Sequence, residues 1–431
     1  MTSEFDVKFP WLRSVRAQLT SISDPIFVAF SGGLDSSCLL HIACQILTPQ
    51  RVVALHVNHG LSENADAWAK HCQKVCEELG CEFDIQRVNV ALDGGGLEAA
   101  ARQARYDVFA RALASPAVLL QGHHGDDQLE TMLLHLMRGS GPLGMVGIPP
   151  QRRLAAGCIM RPLLQLSRAD LLTYAKSAEL HWIEDESNTD VGFDRNYVRE
   201  RVAPALLSRF QHLYGGLSAT SQAMREAHEL QVALAWQDAD LYLTQLPVAS
   251  LNALNKTRRK NVLRVWFEHH TGEVLPRARL QQIMDEVLVA KQDATPVVVA
   301  GGWAIERSRD WLGIVEDLDA QTDWCAGWDF ASPLQTPYGT LSAERVPGGW
   351  RFPALVEVRF RRGGERLRPL GRGVSKSLKA LFKEADVPLW QRRSTPLIWA
   401  GDKLLCAVGL SVDEQCEKRG EELGWLLHWQ P

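Results

Sequence analysis

The sequence predicts an α/β chain of three domains: an N-terminal doubly wound parallel sheet, a small helical domain, and a small mixed α/β C-terminal domain. Three observations carry this. Over the first two hundred residues short β-rich runs alternate with helical patterns. From about residue 215 to 290 the pattern turns helical. Beyond residue 323 short β-like runs return, punctuated by Pro and Gly. At 431 residues, 46% apolar and 23% charged, the chain is of folded composition and too long for one ordinary core. The expected domains are 1–214, 215–320 and 321–431, with the second boundary at the acidic stretch EDLDAQTD, residues 316–323.

Each element has its own signal. Residues 26–30 (IFVAF) read as a buried strand, and from Asp35 an apolar stripe of Leu39, Ile42, Ala43 and Ile46 marks a helix. Strand 52–57, helix 65–79, strand 83–90, helix 97–113, strand 117–122 and helix 126–137 follow. This alternation implies right-handed crossovers and a parallel sheet with helices on both faces. In the C-terminal domain a single helix stands out, over 375–385.

No apolar run approaches the roughly 20 residues that span a bilayer, and the opening MTSEFDVKFP lacks the basic-then-apolar form of a secretory signal. The nine cysteines form no C-x-x-C pair, and Cys72 and Cys76, one helical turn apart, read as small buried hydrophobes. A reducing cytoplasm is the expected compartment.

Strand IFVAF runs into Ser31, Gly32, Gly33, Leu34, Asp35, Ser36 and Ser37, and a helix follows. Paired glycines let backbone N–H groups turn against an anion, the hydroxyls add donors, and the helix N-terminus adds a favourable dipole. Asp35 would repel bare phosphate. It makes sense as a Mg2+ ligand or as a helix cap. No Gly-Lys-Ser/Thr follows, so this is not a Walker loop. SGGLDSS resembles the PP-loop of the ATP pyrophosphatase families, which cleave ATP between its α- and β-phosphates and leave AMP on a substrate oxygen.

Further strings fall after successive strands, where an open parallel sheet presents its ligand crevice: HVNHGL from His56, EAAARQARY from Glu98, GHHGDDQLET from Gly122, RGSG from Arg138, RPLL from Arg161, EDESN from Glu184 and FDRNYVR from Phe193. Together with KSLKALF from Lys376 and PLW from Pro388, they resemble the bacterial tRNA(Ile)-lysidine synthetase family. The resemblance is specific from Ser31 to about Arg201 and again near the C-terminus, and weak in the helical middle. It implies conversion of the wobble cytidine in the CAU anticodon of an isoleucine tRNA to lysidine, with ATP, Mg2+ and free L-lysine. The anticodon then reads an isoleucine codon and the tRNA is charged with isoleucine instead of methionine. A homodimer is carried as an open assembly.

On that reading the ATP-binding residues are Ser31, Gly32, Gly33, Leu34, Asp35, Ser36, Ser37, His59, Arg102 and Arg105. The catalytic residues are Asp35, Asp127, Glu130 and Arg195, with Asp35 as the Mg2+ ligand. Asp127 and Glu130, three apart on the helix and off its apolar stripe, suit the lysine ammonium. Adenylation turns the poor leaving oxygen of a urea-like carbonyl into a good one, and Arg195, with Arg102 and Arg105, suits the α-phosphate. Only roughly one lysine amine in a few thousand is neutral at pH 7. A carboxylate that binds the ammonium raises that barrier, yet accepts the proton as attack begins; the sequence leaves the balance open.

Between Arg351 and Arg393 twelve Lys/Arg face four Asp/Glu, a net +8 that leaves −12 to the rest of a chain of net −4. Such segregation suits a phosphate backbone. Arg368, Arg372, Lys376, Lys379 and Lys383 are the expected tRNA contacts, Trp390 offers a stacking or packing face, and KTRRK at 256–260 is a weaker cluster. The rivals are a transition-metal site at His123, His124, Asp126 and Asp127, another PP-loop activator such as a thiolase or an amide-forming synthetase, and a non-catalytic tRNA binder. His56 and His59 read equally well as structural.

Overall fold

Alternate side chains of a strand point to opposite sides, so a strand buried on both faces needs a helical layer on each. In the computed structural model, β1 (Ile26–Ala29) buries Ile26 and Val28 against α1 (Leu12–Thr20) and α2 (Leu34–Leu47). Its Phe27 and Ala29 pack with Phe109, Leu119 and Ile159 on the other face. The structure describes residues 7–62, 64–89, 97–184, 194–210, 212–291, 294–316, 323–417 and 422–431, the side chains of 97–99 excepted. Most of EDLDAQTD and of the 184–193 strings lies outside these residues.

The chain continues through β2 (Val52–Asn58), α3 (Ala65–Leu79), β3 (Glu82–Arg87), α4 (Leu97–Ala112), β4 (Val118–Leu120), α5 (Gly125–Met137) and α6 (Pro142–Met145). A hairpin of β5 (Gln151–Leu154) and β6 (Gly157–Met160) follows, then α7 (Arg168–Ser177), α8 (Asp194–Tyr197), a wide helical turn over Val198–Val202, α9 (Ala203–Arg209) and α10 (Leu213–Asp238). The sheet order is β3-β2-β1-β4-β6-β5, parallel except for the β5 edge strand. The expected parallel sheet is therefore present, with an antiparallel hairpin added. QRRL carries no buried alternation, because β5 packs through one edge only.

By packing the chain divides into two compact units, ending and beginning at Glu229 and Leu230. In the second, β7 (Gln245–Pro247), α11 (Val248–Ala253), α12 (Lys256–Thr271) and α13 (Arg277–Gln282) precede β8 (Val297–Ala300), β9 (Trp303–Ser308) and β10 (Trp311–Glu316). The helical stretch thus leads into an antiparallel sheet ordered β7-β10-β9-β8, over a core that includes Leu263, Trp266, Phe267 and Ile305. Beyond residue 323 come β11 (Cys325–Trp328), β12 (Leu334–Thr336), β13 (Gly339–Pro347), β14 (Val356–Arg359), β15 (Arg366–Leu367) and β16 (Lys376–Ser377). Then α14 (Leu378–Glu384), α15 (Leu389–Ser394), β17 (Leu397–Ala400), β18 (Lys403–Ala407), β19 (Ser411–Val412) and β20 (Leu423–Gln430) complete the chain. They make a five-stranded sheet, β11-β14-β17-β18-β19, a three-stranded one, β12-β13-β20, and a two-stranded one, β15-β16.

Candidate active site

Strand order places the crevice. From β1 the chain moves to β2 on one side, and after β3 it crosses to β4 on the other, so β1 and β4 open a gap at their C-terminal ends. The loop 31–37 and the segment 121–124 meet there. A Cβ on Gly122 would sit 3.0 Å from the Asp35 carbonyl oxygen, so only glycine lets these backbones approach. Gly32 has φ +86°, and a Cβ there would meet Ile183 Cδ1 at 2.7 Å and Cys72 Sγ at 2.8 Å.

Inside the loop, the Ser36 hydroxyl donates to the Gly33 carbonyl at 3.0 Å and lies 3.1 Å from Ser31 Oγ, while Ser37 Oγ donates to Gly32 O at 3.3 Å. Ser36 and Ser37 are buried, so they shape the loop from beneath, which the sequence does not distinguish from phosphate contact. Leu34 is buried on the core side of α2. Asp35 behaves differently. Its side chain is 35% exposed, yet Oδ1 is buried with no partner, while Oδ2 lies 3.5 Å from His124 Nε2. An unmatched carboxylate oxygen at a phosphate loop fits a hard cation that takes the rest of its shell from water and phosphate.

Helix α5 carries the second half of the site. Asp127 Oδ2 accepts from the His124 backbone N–H at 3.1 Å, which fixes the helix start. His124 is buried among three carboxylates: Asp126 Oδ2 at 3.4 Å from Nδ1, and Asp35 Oδ2 and Asp127 Oδ2 at 3.5 and 3.6 Å from Nε2. Burial alone would push its pKa down, but Asp126, Asp35 and Asp127 outweigh that and hold it up, at about 10. Nδ1 also stands 3.2 Å from the Asp126 N–H, a contact open only to the neutral ring. With three carboxylates around the ring the charged form prevails, and Nδ1–H turns to Asp126 Oδ2. Asp127 is likewise pushed up by burial and pulled further down, below the carboxylate range, chiefly by the charge of His124, with Arg195 adding to it.

Asp127 and Glu130 meet two guanidiniums. Arg195 bonds Glu130 Oε2 through Nε at 2.8 Å and Asp127 Oδ1 through Nη2 at 2.9 Å. Arg199 grips Glu130 with Nε at 2.7 Å and Nη2 at 3.0 Å, and reaches Asp127 at 3.4 Å. Both arginines leave the α8 and Val198–Val202 turns on one face, four residues apart. The fold brings Asp127, Glu130 and Arg195 together; Arg199 has no role assigned from the sequence, although the R-x-x-x-R spacing is its signal. Glu130 is fully buried, with both oxygens occupied by arginine.

The remaining expected ATP residues sit beyond the ends of β2 and β3. Arg105 reaches His59 Nε2 at 3.5 Å, and Arg102 lies over the Tyr106 ring at 5.1 Å. Burial, Arg105 and His56 together lower the pKa of His59, so it stays neutral. His56 is structural: its Nδ1 bonds the Phe30 carbonyl at 2.8 Å. Arg161 joins the crevice wall through Gln121 Oε1 at 2.8 Å and His123 Nδ1 at 3.1 Å. Among the described residues no group of three His, Cys, Asp or Glu is placed to hold a metal ion, and a protonated His124 has no lone pair to give one.

Of the basic C-terminal residues, Arg368 pairs with Glu414 at 2.9 Å, and Arg372 and Lys376 both pair with Glu384, the latter at 2.6 Å. Lys379 and Lys383 are exposed and, among the described residues, pair with no acid. Trp390 packs rather than stacks: a Cβ on Gly313 would lie 2.7 Å from its ring. In the 256–260 cluster, Arg258 pairs with Asp238, and Arg259 caps the carbonyls of Leu251, Asn252 and Leu254. That cluster is mostly used within the fold.

Family models match three stretches: a PP-loop domain over residues 12–206, a TilS substrate binding domain over 246–312, and a TilS substrate C-terminal domain over 356–429. The tRNA(Ile)-lysidine synthase of Coxiella burnetii is 38% identical over 96% of this chain and 94% of its own length. The chain belongs to the tRNA(Ile)-lysidine synthase family. Other lysidine synthases are similar to the same extent: that of Escherichia coli O157:H7 is 38% identical, covering 95% of this chain and 97% of its own. That of Xanthomonas axonopodis pv. citri is 39% identical, covering 93% and 94%. As a lysidine synthase family member with a PP-loop domain, the chain is an ATP-dependent ligase. Among the described residues no helix is long and apolar enough to cross a membrane.

Proposed function

We propose that this chain ligates L-lysine to the wobble cytidine of a CAU-anticodon isoleucine tRNA in the cytoplasm, through an adenylated cytidine, releasing pyrophosphate and then AMP. The observation that carries this is the meeting of two features in one crevice: a glycine loop at a helix N-terminus that suits a triphosphate, and an α5 acid–arginine cluster that suits an amine and a phosphate. The three family matches fall one in each of the segments 1–214, 215–320 and 321–431, which supports catalysis in the first and tRNA binding in the other two.

The N–H groups at the start of α2 hold the phosphates while Gly32 and Gly33 keep side chains out of their way. Asp35, with its unmatched Oδ1, would hold Mg2+, which when bound spreads charge from the departing pyrophosphate. Arg195 neutralises the α-phosphate as the cytidine oxygen attacks, and His59, Arg102 and Arg105 line the nucleotide side. Asp127 then takes the lysine ammonium and receives its proton as the amine attacks the activated carbon. Glu130 holds both arginines in place and touches the ammonium only through the cluster it organises. Arg368, Arg372, Lys376, Lys379 and Lys383 approach the tRNA backbone.

Pyrophosphate release tests the reading. It should require the unmodified tRNA, since the RNA oxygen is the attacking group. Release at the same rate without RNA would contradict an adenylated cytidine.

A further inference from the structure

Two acids of α5, Asp127 and Glu130, pair with two arginines of the 194–202 turns, Arg195 and Arg199. A substrate ammonium entering this cluster finds no unmet negative charge. Glu130 is closed to it, with Oε1 on Arg199 and Oε2 on both arginines. Asp127 Oδ2 is committed to the His124 backbone N–H. Only Asp127 Oδ1 remains, and Arg195 Nη2 stands on it at 2.9 Å.

The two arginines are not equivalent. Arg199 makes both of its short bonds to Glu130, at 2.7 and 3.0 Å, and touches Asp127 only at 3.4 Å. Arg195 gives one nitrogen to each acid, and its side chain is the more exposed, 38% against 31%. Pivoting about its Nε bond to Glu130, the Arg195 guanidinium can leave Asp127 for a phosphate oxygen while Arg199 keeps Glu130 neutralised. A phosphate oxygen accepts the same kind of charge-assisted N–H bonds from a guanidinium as a carboxylate does.

Resting on the reading that this crevice takes ATP and lysine together, we infer that Arg195 is exchanged between Asp127 and the nucleotide. Without ATP it occupies the place of the lysine ammonium; with ATP it moves to phosphate and opens Asp127 Oδ1. Nucleotide therefore raises the affinity for lysine, and lysine raises the affinity for nucleotide by the same factor. Arg195 is in this sense a specificity device: an amine is admitted only where a triphosphate is already held.

Equilibrium dialysis of labelled L-lysine against the full chain, with Mg2+, tests this with and without an ATP analogue bearing a methylene between its α- and β-phosphates. The analogue should tighten lysine binding on the order of tenfold or more, within the usual span of coupled sites. Arg195→Gln should bind lysine without analogue as tightly as the wild type does with it. Asp127→Asn frees the same guanidinium from the other side and should bind the analogue more tightly than the wild type in the absence of lysine. Equal lysine affinity with and without analogue in the wild type overturns the inference. So does coupling that persists in Arg195→Gln, or analogue binding in Asp127→Asn that is unchanged or weaker. The underlying reading fails separately, if labelled lysine never reaches the tRNA under turnover; a chain that makes the transfer without coupling refutes the exchange alone.

Discussion

Glu130 joins the two arginines of the cluster from beneath. It is fully buried, and its two oxygens take the shortest bonds of two guanidiniums that also reach Asp127. Glu130→Gln keeps the shape and removes the charge, leaving both arginines underpaired. Because each arginine is partly solvated, the expected loss is roughly 1–3 kcal/mol, read as a lower urea midpoint. His123 makes a different prediction. Burial drives its pKa down from 6.5 to about 4, against the pull of Asp127 and with Arg161 and Arg195 adding to the fall. The unfolded chain then takes up this proton first, so the contribution is intact above about pH 6.5 and is lost as pH falls through about 4. Its slope is about 1.4 kcal/mol per pH unit. His123→Asn lacks that component, so stability measured by urea unfolding should fall less steeply below pH 6.5 than in the wild type; parallel curves would contradict the assignment.

At the scale of elements, the site depends on how closely the loop after β1 and the segment after β4 approach. Gly122→Ala would place a methyl 3.0 Å from Asp35 O and 3.2 Å from Ser36 N, and backbone atoms there cannot step aside cheaply. The expected result is a KM for ATP raised about tenfold, the equivalent of about 1.4 kcal/mol, with far-UV circular dichroism unchanged. An unaltered KM would show that the two segments have slack. The strongly periodic elements were legible in advance: the helix expected over 65–79 is α3, and the strand over 52–57 is β2 with one residue more. The β5–β6 hairpin was not, since QRRL exposes three of its four side chains and shows no alternation. Nor was the sheet that begins at β7, whose three residues are too few to establish a period. The wide turn over Val198–Val202, which aims Arg199 at Glu130, leaves no mark on composition.

For the molecule as a whole, charge segregation was plain in the sequence, but its availability was not. The net +8 between 351 and 393 includes Arg372 and Lys376, which share Glu384, whereas Lys379 and Lys383 stand exposed and, among the described residues, without an acid. Lys379→Ala and Lys383→Ala should each weaken tRNA binding and lower the slope of log affinity against log salt by about one; substitutions at Arg372 and Lys376 should change the slope less. Filter binding across a salt series separates the two pairs. Likewise the sequence pointed to Asp127, Glu130 and Arg195 as one site, but the contacts between them span more than sixty positions and emerge only from the fold. The central claim is that the Asp35 loop and the Asp127 cluster together attach lysine to an RNA base. It is tested most directly by incubating the chain with unmodified CAU-anticodon isoleucine tRNA, ATP, Mg2+ and labelled L-lysine. The wild type should transfer label to the RNA, and Asp35→Ala and Asp127→Ala should not; transfer that survives both substitutions would contradict the account.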